Sequence, residues 1–186
     1  NNIINFRKGH IMNNGFWLSV IADGLFAAIA ATGFAVISNP PKRAVAIAAL
    51  LAAIGHAYRF YLLHSTPLDL TSSSLIAAFT IGLLSMLAAR LTHCPAEVFS
   101  FPALLPMIPG MYAYKTILAL IRFMKSDDVT VLNQLIVEIF RNGLTALFIM
   151  SALVIGVSLA MFIFYKQSFT MTRLLHHKKN RQYTKN

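Results

Sequence analysis

The chain is 186 residues long, 57% hydrophobic and only 12% charged, with a formal net charge of +10. Soluble domains carry about 25% charged residues and disordered chains need low hydrophobicity, so neither class fits. Nine Gly and one Cys argue against collagen and against a disulfide scaffold, which leaves an integral membrane protein with room for about five or six spans of some 20 residues.

Residues 1–15 form a polar N-terminal segment carrying Arg7 and Lys8. The first apolar run, 16–37, is too long for the 7–15-residue core of a cleavable signal. It is interrupted only by Asp23 and stops at Ser38-Asn39-Pro40-Pro41, strong helix-ending punctuation. The second run, 44–63, contains His56 and Arg59; the third, 70–89, is uncharged and closed by Arg90. The fourth, 98–121, is rich in proline, and the fifth, 142–165, is uncharged and closed by Lys166. Each is long enough to cross a core of roughly 30 Å as a helix. A lipid-exposed strand edge is not tolerated there, and barrel-type alternation is absent. The expectation is an all-α polytopic membrane bundle of five transmembrane helices (16–37, 44–63, 70–89, 98–121 and 142–165), the fourth broken by prolines, followed by a basic tail at 166–186.

Between the last two runs, Leu132, Leu135, Ile136, Ile139 and Phe140 recur at helical spacing after Ser126, Asp127 and Asp128. Asp127–Arg141 is therefore either an interfacial helix or an extension of the fifth span. Small residues recur every four positions: Ala27, Ala31 and Ala35; Ala48 and Ala52; Ala152, Gly156 and Ala160. Such rows allow close helix approach, within the chain or onto a partner.

Six of the sixteen Lys and Arg lie between Lys166 and Lys185. A basic tail after an apolar run marks a cytoplasmic C-terminus rather than a nucleic-acid site. With five spans, Lys42, Arg43, Arg90 and the tail lie inside, against Arg7, Lys8, Arg122, Lys125 and Arg141 outside. Were the fourth segment re-entrant, the N-terminus would move inside and the asymmetry would shrink. The sequence therefore predicts N-out, C-in.

The fourth run reads Phe101-Pro102-Ala103-Leu104-Leu105-Pro106-Met107-Ile108-Pro109-Gly110. Each interior Pro removes an N–H and clashes with an earlier carbonyl, so a straight helix is not expected. Broken backbone at membrane depth is tolerated where protein buries it or where it lines a wet cavity, and such breaks form substrate sites in transporters. Pro106, Pro109 and Gly110 are candidate substrate-binding positions, with Tyr112, Tyr114 and Lys115 placed to add polar tips; the alternative is a simple kink. His56 and Arg59, at i and i+3, share a face. Asp23 can pair with Arg59 or accept a hydrogen bond from His56. Asp23 and His56 are candidate proton carriers and Arg59 a candidate carboxylate ligand; the alternative is a structural ion pair with Arg59 snorkelling. No HExxH, GxSxG or phosphate loop occurs, and His93-Cys94-Pro95 lacks a second ligand pair, so neither an enzyme, nor a metal centre, nor another cofactor is expected.

Gly33-Phe34-Ala35-Val36, Asn39-Pro40-Pro41-Lys42-Arg43-Ala44, Ala53-Ile54-Gly55-His56-Ala57-Tyr58-Arg59, Val98-Phe99, Pro102–Gly110 and Tyr112-Ala113-Tyr114 follow in order. Together they resemble the threonine/serine exporter family, specifically its C-terminal five-span half in the short form found as the small membrane subunit of a split two-component exporter. The likeness extends from about Asn14 to Lys166. It implies an inner-membrane secondary exporter of small carboxylates, either threonine and serine or a succinate-like dicarboxylate. It also implies a larger partner subunit with five further spans and a cytoplasmic domain. Two halves with an odd number of spans are oppositely oriented, which suits an inverted-repeat transporter. The reading from another class is a non-transporting scaffold that stabilises a partner membrane protein. No nucleic acid is implied; the other contacts are solute and lipid.

Overall fold

The computed structural model describes residues 14–38 and 40–163; the N-terminal stretch to residue 13 and the 166–186 tail lie outside the described residues. Within them the elements are α1 (Asn14–Ile37), α2 (Lys42–Ser65), α3 (Leu70–Thr92), α4 (Glu97–Leu104), a 3-10 turn (Leu105–Met107), α5 (Gly110–Phe123) and α6 (Val129–Ile163). No strand occurs among the described residues. The architecture is an all-α membrane bundle. Helices α1, α2, α3 and α6 are long and apolar enough to cross a bilayer, while α4 and α5 form a pair bent by 50°.

Pro40 and Pro41 separate α1 from α2, as their fixed φ and missing donors require. Asp69 caps α3, accepting from the Thr71 N–H at 3.1 Å and the Ser72 hydroxyl at 2.6 Å. The Ser72 hydroxyl, aided by backbone N–H groups, holds the Asp69 carboxyl below its usual value. A depressed carboxylate stabilises the fold above its unfolded pKa, and that contribution fades as pH falls through the folded value. Asp69→Ala is expected to cost about 1 kcal/mol at neutral pH. In detergent, its thermal unfolding gap to wild type should narrow below about pH 4.

The direction of α6 decides whether the bent pair crosses. A Cβ on Gly156 would lie 2.6 Å from the Leu75 carbonyl and 2.9 Å from Ala78 Cβ, and one on Gly82 would lie 2.6 Å from Ala160 Cβ. Both numbers rise together along the seam, so α6 runs parallel to α3. A re-entrant α4–α5 would return α6 antiparallel. The pair therefore crosses as one broken span, giving five crossings among the described residues. Helix α6 is continuous over 35 residues, about 52 Å at 1.5 Å per residue. Its first turns thus extend past a 30 Å core, and the amphipathic stretch before Arg141 belongs to this helix rather than to a separate one.

Helix α3 is the central post, with Ser73, Ala77, Ala78, Ile81 and Ser85 all fully buried. The three small-residue rows are used up inside the chain: Ala27, Ala31, Ala35, Ala48, Ala52, Ala152 and Ala160 are all at most 4% exposed. Phe16, Trp17, Phe60, Tyr61 and His64 cluster at one end of α1 and α2, with Trp17 stacked on Tyr61 at 6.2 Å. Amphipathic rings at this level mark a membrane interface.

Candidate functional site

The fourth span breaks because two prolines withdraw donors in succession. Pro106 sits inside the 3-10 turn, whose end is closed by the Ile108 N–H on the Leu105 carbonyl at 3.1 Å. Pro109, at φ −78° and ψ 57°, then makes an inverse γ-turn, with the Gly110 N–H on the Ile108 carbonyl at 2.8 Å. In an unbroken helix the Pro106 and Met107 carbonyls would accept from Gly110 and Met111. The γ-turn takes the first of those donors elsewhere and the Met111 N–H makes no bond to Met107 across the break, so both carbonyls need other partners.

Helix α2 reaches them. Arg59 Nη1 donates to the Met107 carbonyl at 3.3 Å. The Pro106 backbone lies beside the His56 ring, whose Nε2 is buried without a hydrogen bond. On its other edge, His56 Nδ1 donates to Asp23 Oδ2 at 3.0 Å. Against an ionised Asp23, Nδ1 carries a proton, and Nε2 holds a lone pair whenever the ring is neutral. His56 is only 6% exposed, whereas the Asp23 side chain keeps 35%.

Two glycines permit this. A Cβ on Gly55 would lie 2.4 Å from Ile81 Cδ1 and 3.1 Å from Met107 Cε, so its absence lets α3 and the break close on α2. A Cβ on Gly24 would lie 2.9 Å from the Ala53 carbonyl, so its absence brings Asp23 within reach of His56. Gly55 is near the middle of α2 and Ile81 near the middle of α3. Met107 therefore sits at mid-depth in the bundle.

The structure thus gathers Asp23, His56, Arg59, Pro106 and Met107. Of the two partners open to Asp23, it takes His56. Tyr112 packs partly buried against the core. Tyr114 is 59% exposed on α5 and Lys115 is also exposed, so the structure does not bring them into this cluster. Nothing lies within 4 Å of a Cβ built on Gly110, which leaves open space at the start of α5. The Met107 carbonyl and the spacing roles of Gly24 and Gly55 went unrecognised in the residues, although an isolated glycine inside a helical pattern is the available signal.

Residues 23–163 match the family described as "Threonine/Serine exporter, ThrE". An uncharacterized protein of Haemophilus influenzae (strain ATCC 51907 / DSM 11121 / KW20 / Rd) is 34% identical over 152 residues, covering 82% of this chain and 50% of that protein. The chain therefore spans about half the length of the curated relative it matches. No solved structure matches it.

Proposed function

The chain belongs to the threonine/serine exporter family, and from that premise we propose that it is the membrane subunit of a secondary exporter of small carboxylates. The solute is threonine and serine or a succinate-like dicarboxylate, and transport is by alternating access with a larger subunit of the same family. The orientation is N-out and C-in, in the inner membrane.

The observation that carries this reading is Arg59 on the Met107 carbonyl at mid-depth. A guanidinium within a span costs several kcal/mol unless it meets a partner. A neutral carbonyl is a weak one, and Arg59 keeps the capacity to grip a carboxylate with two parallel hydrogen bonds. A solute carboxylate therefore competes with Met107 for Arg59. When it wins, the break loses its tie to α2, and α4 and α5 can change their angle about Ile108 and Pro109. The proton acts on the neighbouring carbonyl. Protonation of His56 at Nε2 converts a lone pair beside the Pro106 backbone into a donor, so one tie forms as the other is released. Asp23 holds the ring through both states and balances its charge. Such a two-position element is what alternating access requires.

Proteoliposomes containing this chain and its partner subunit test the reading with labelled threonine, serine and succinate. Saturable flux is expected, accelerated by an imposed pH gradient. Asp23→Asn and His56→Gln should lose the acceleration yet retain solute exchange. Wild-type flux indifferent to the gradient would remove proton coupling. A complex that moves none of the three solutes would remove the exporter reading.

A further inference from the structure

Helix α5 packs on α6 and on no other helix to a comparable extent. Thr116 lies against Gly143 and Ala119 is buried, so these two mark the side turned to α6. Beside them Met111, Lys115, Leu118 and Arg122 recur at i, i+4, i+7 and i+11, the spacing of one stripe along a helix. Met111, Lys115 and Arg122 are exposed and Leu118 is half-buried.

Depth separates the two cations of this stripe. Arg122 stands next to the last residue of α5 and reaches the headgroup level and its water. Lys115 lies only five residues past Gly110, where α5 leaves the mid-depth break. That is about 8 Å along the helix at 1.5 Å per residue, against some 15 Å from the middle of the hydrocarbon to its edge. Cα–Cβ bonds tilt toward a helix's N-terminus, and the N-terminus of α5 is its deep end. The Lys115 stem therefore leaves the backbone away from the headgroups and is badly aimed for snorkelling. Exposure in water solvates a lysine; exposure at this depth sets an ammonium against hydrocarbon, where it is satisfied by a carboxylate. Among the described residues none meets it, since the one ion pair there is His56 with Asp23. A second copy applied through the same stripe would set Lys115 against Lys115, a repulsive contact, and the stripe holds no acid to offset it.

We propose that the stripe Met111, Lys115, Leu118 and Arg122 docks a transmembrane helix of another polypeptide, one that carries a single Asp or Glu at the level of Lys115. The carboxylate takes the Lys115 ammonium, Met111 and Leu118 pack against apolar side chains to either side of it, and Arg122 meets the partner's end at the surface. The contact lies in the leaflet on the side where α1 starts, since α6 starts there and α5 leads into it. In the exporter proposed above this helix belongs to the larger subunit, but the contact does not depend on the solute.

Cross-linking in lipid bilayers tests this on the purified full chain. The probe is a leucine-rich transmembrane peptide about 22 residues long, with one Glu some five residues from its centre, about 8 Å, and a Cys one turn deeper. Its twin has Gln in place of Glu. Cys94, the one cysteine, is replaced by Ser, and a single cysteine is introduced by Met111→Cys or, as a control on the exposed face of α1, by Phe26→Cys. Met111→Cys should capture the Glu peptide roughly fivefold better than the Gln twin, the factor a modest interhelical hydrogen bond supplies. Lys115→Gln should abolish that preference and Lys115→Arg should keep it, while Phe26→Cys should show none. Equal capture of the two peptides at Met111→Cys, the same preference at Phe26→Cys, or a preference that survives Lys115→Gln overturns the proposal. So does Met111→Cys protein that cross-links to itself in place of the Glu peptide, which would give the stripe to a second copy. Because the readout is capture and not flux, failure of the exporter reading leaves it intact.

Discussion

Arg59→Ala is expected to reduce solute efflux by roughly 10- to 100-fold at low internal solute, with the protein still inserted and folded. The magnitude follows from losing a charge-assisted hydrogen bond of about 1.5–3 kcal/mol, at 1.4 kcal/mol per tenfold. Folding survives because two effects offset. The Met107 carbonyl loses its donor in a buried place, at a cost of about 1–3 kcal/mol. Removing a charge from within α2 returns an insertion cost that is at most about 2.5–3.5 kcal/mol, the value for a helix centre. Arg59→Lys should recover only part of the flux, because a point charge keeps the attraction but not the planar fork that matches a carboxylate. The measurement is initial efflux rate against internal solute concentration in proteoliposomes. For Arg59→Ala the apparent affinity should fall more than the saturated rate. A variant within twofold of wild type across the whole range would show that Arg59 serves only to hold the break.

How much of this was legible in the residues depended on which kind of group made each contact. Apolar runs bounded by prolines and charges announce spans because the bilayer filters on side-chain type. Three prolines announce the break because each withdraws a backbone donor and crowds an earlier carbonyl. The Asp23–His56 bond was one of two open pairings, since both residues carry polar groups that must be satisfied in lipid. The Arg59 partner was not legible: it is the Met107 backbone carbonyl, and every residue has one. What selects it is the failure of the helical ladder at Pro109 and Gly110, a property of backbone geometry and not of residue type. The direction of α6 was likewise hidden. Charge counting separated a crossing segment from a re-entrant one by few residues, whereas the seam of Gly82 and Gly156 settles it through contacts no composition reveals. The continuity of α6 through Arg141 was open because one apolar face fits an interfacial helix and a protruding one equally well.

That same seam yields the largest expected effect on stability, and a comparison of two identical substitutions isolates it. Gly156→Ala places a methyl group 2.6 Å from the Leu75 carbonyl and 3.0 Å from the Phe79 nitrogen. Both are backbone atoms of α3, so no rotamer change relieves the contact and the two helices must separate. Overpacking of this kind costs about 1–3 kcal/mol. Gly33→Ala makes the same chemical change in α1, where a Cβ meets nothing within 4 Å. There only helix propensity acts, favouring Ala by about 0.8–1 kcal/mol. Gly156 lies inside a helix too, so the propensity gain is common to both and the two variants should differ by the overpacking alone, about 1–3 kcal/mol, with Gly156→Ala the less stable in thermal or SDS unfolding followed by far-UV circular dichroism. The effect should also reach transport. Displacing α3 shifts Ile81, which packs where Gly55 lacks a side chain, and Ile81 and Met107 share that space. Slackening there lengthens the reach from Arg59 to the Met107 carbonyl, so Gly156→Ala should lose efflux at temperatures where it remains folded. If it unfolds no earlier than Gly33→Ala, α3 and α6 are not packed as closely as the parallel seam requires, and the crossing of the broken span inferred from that seam fails with it.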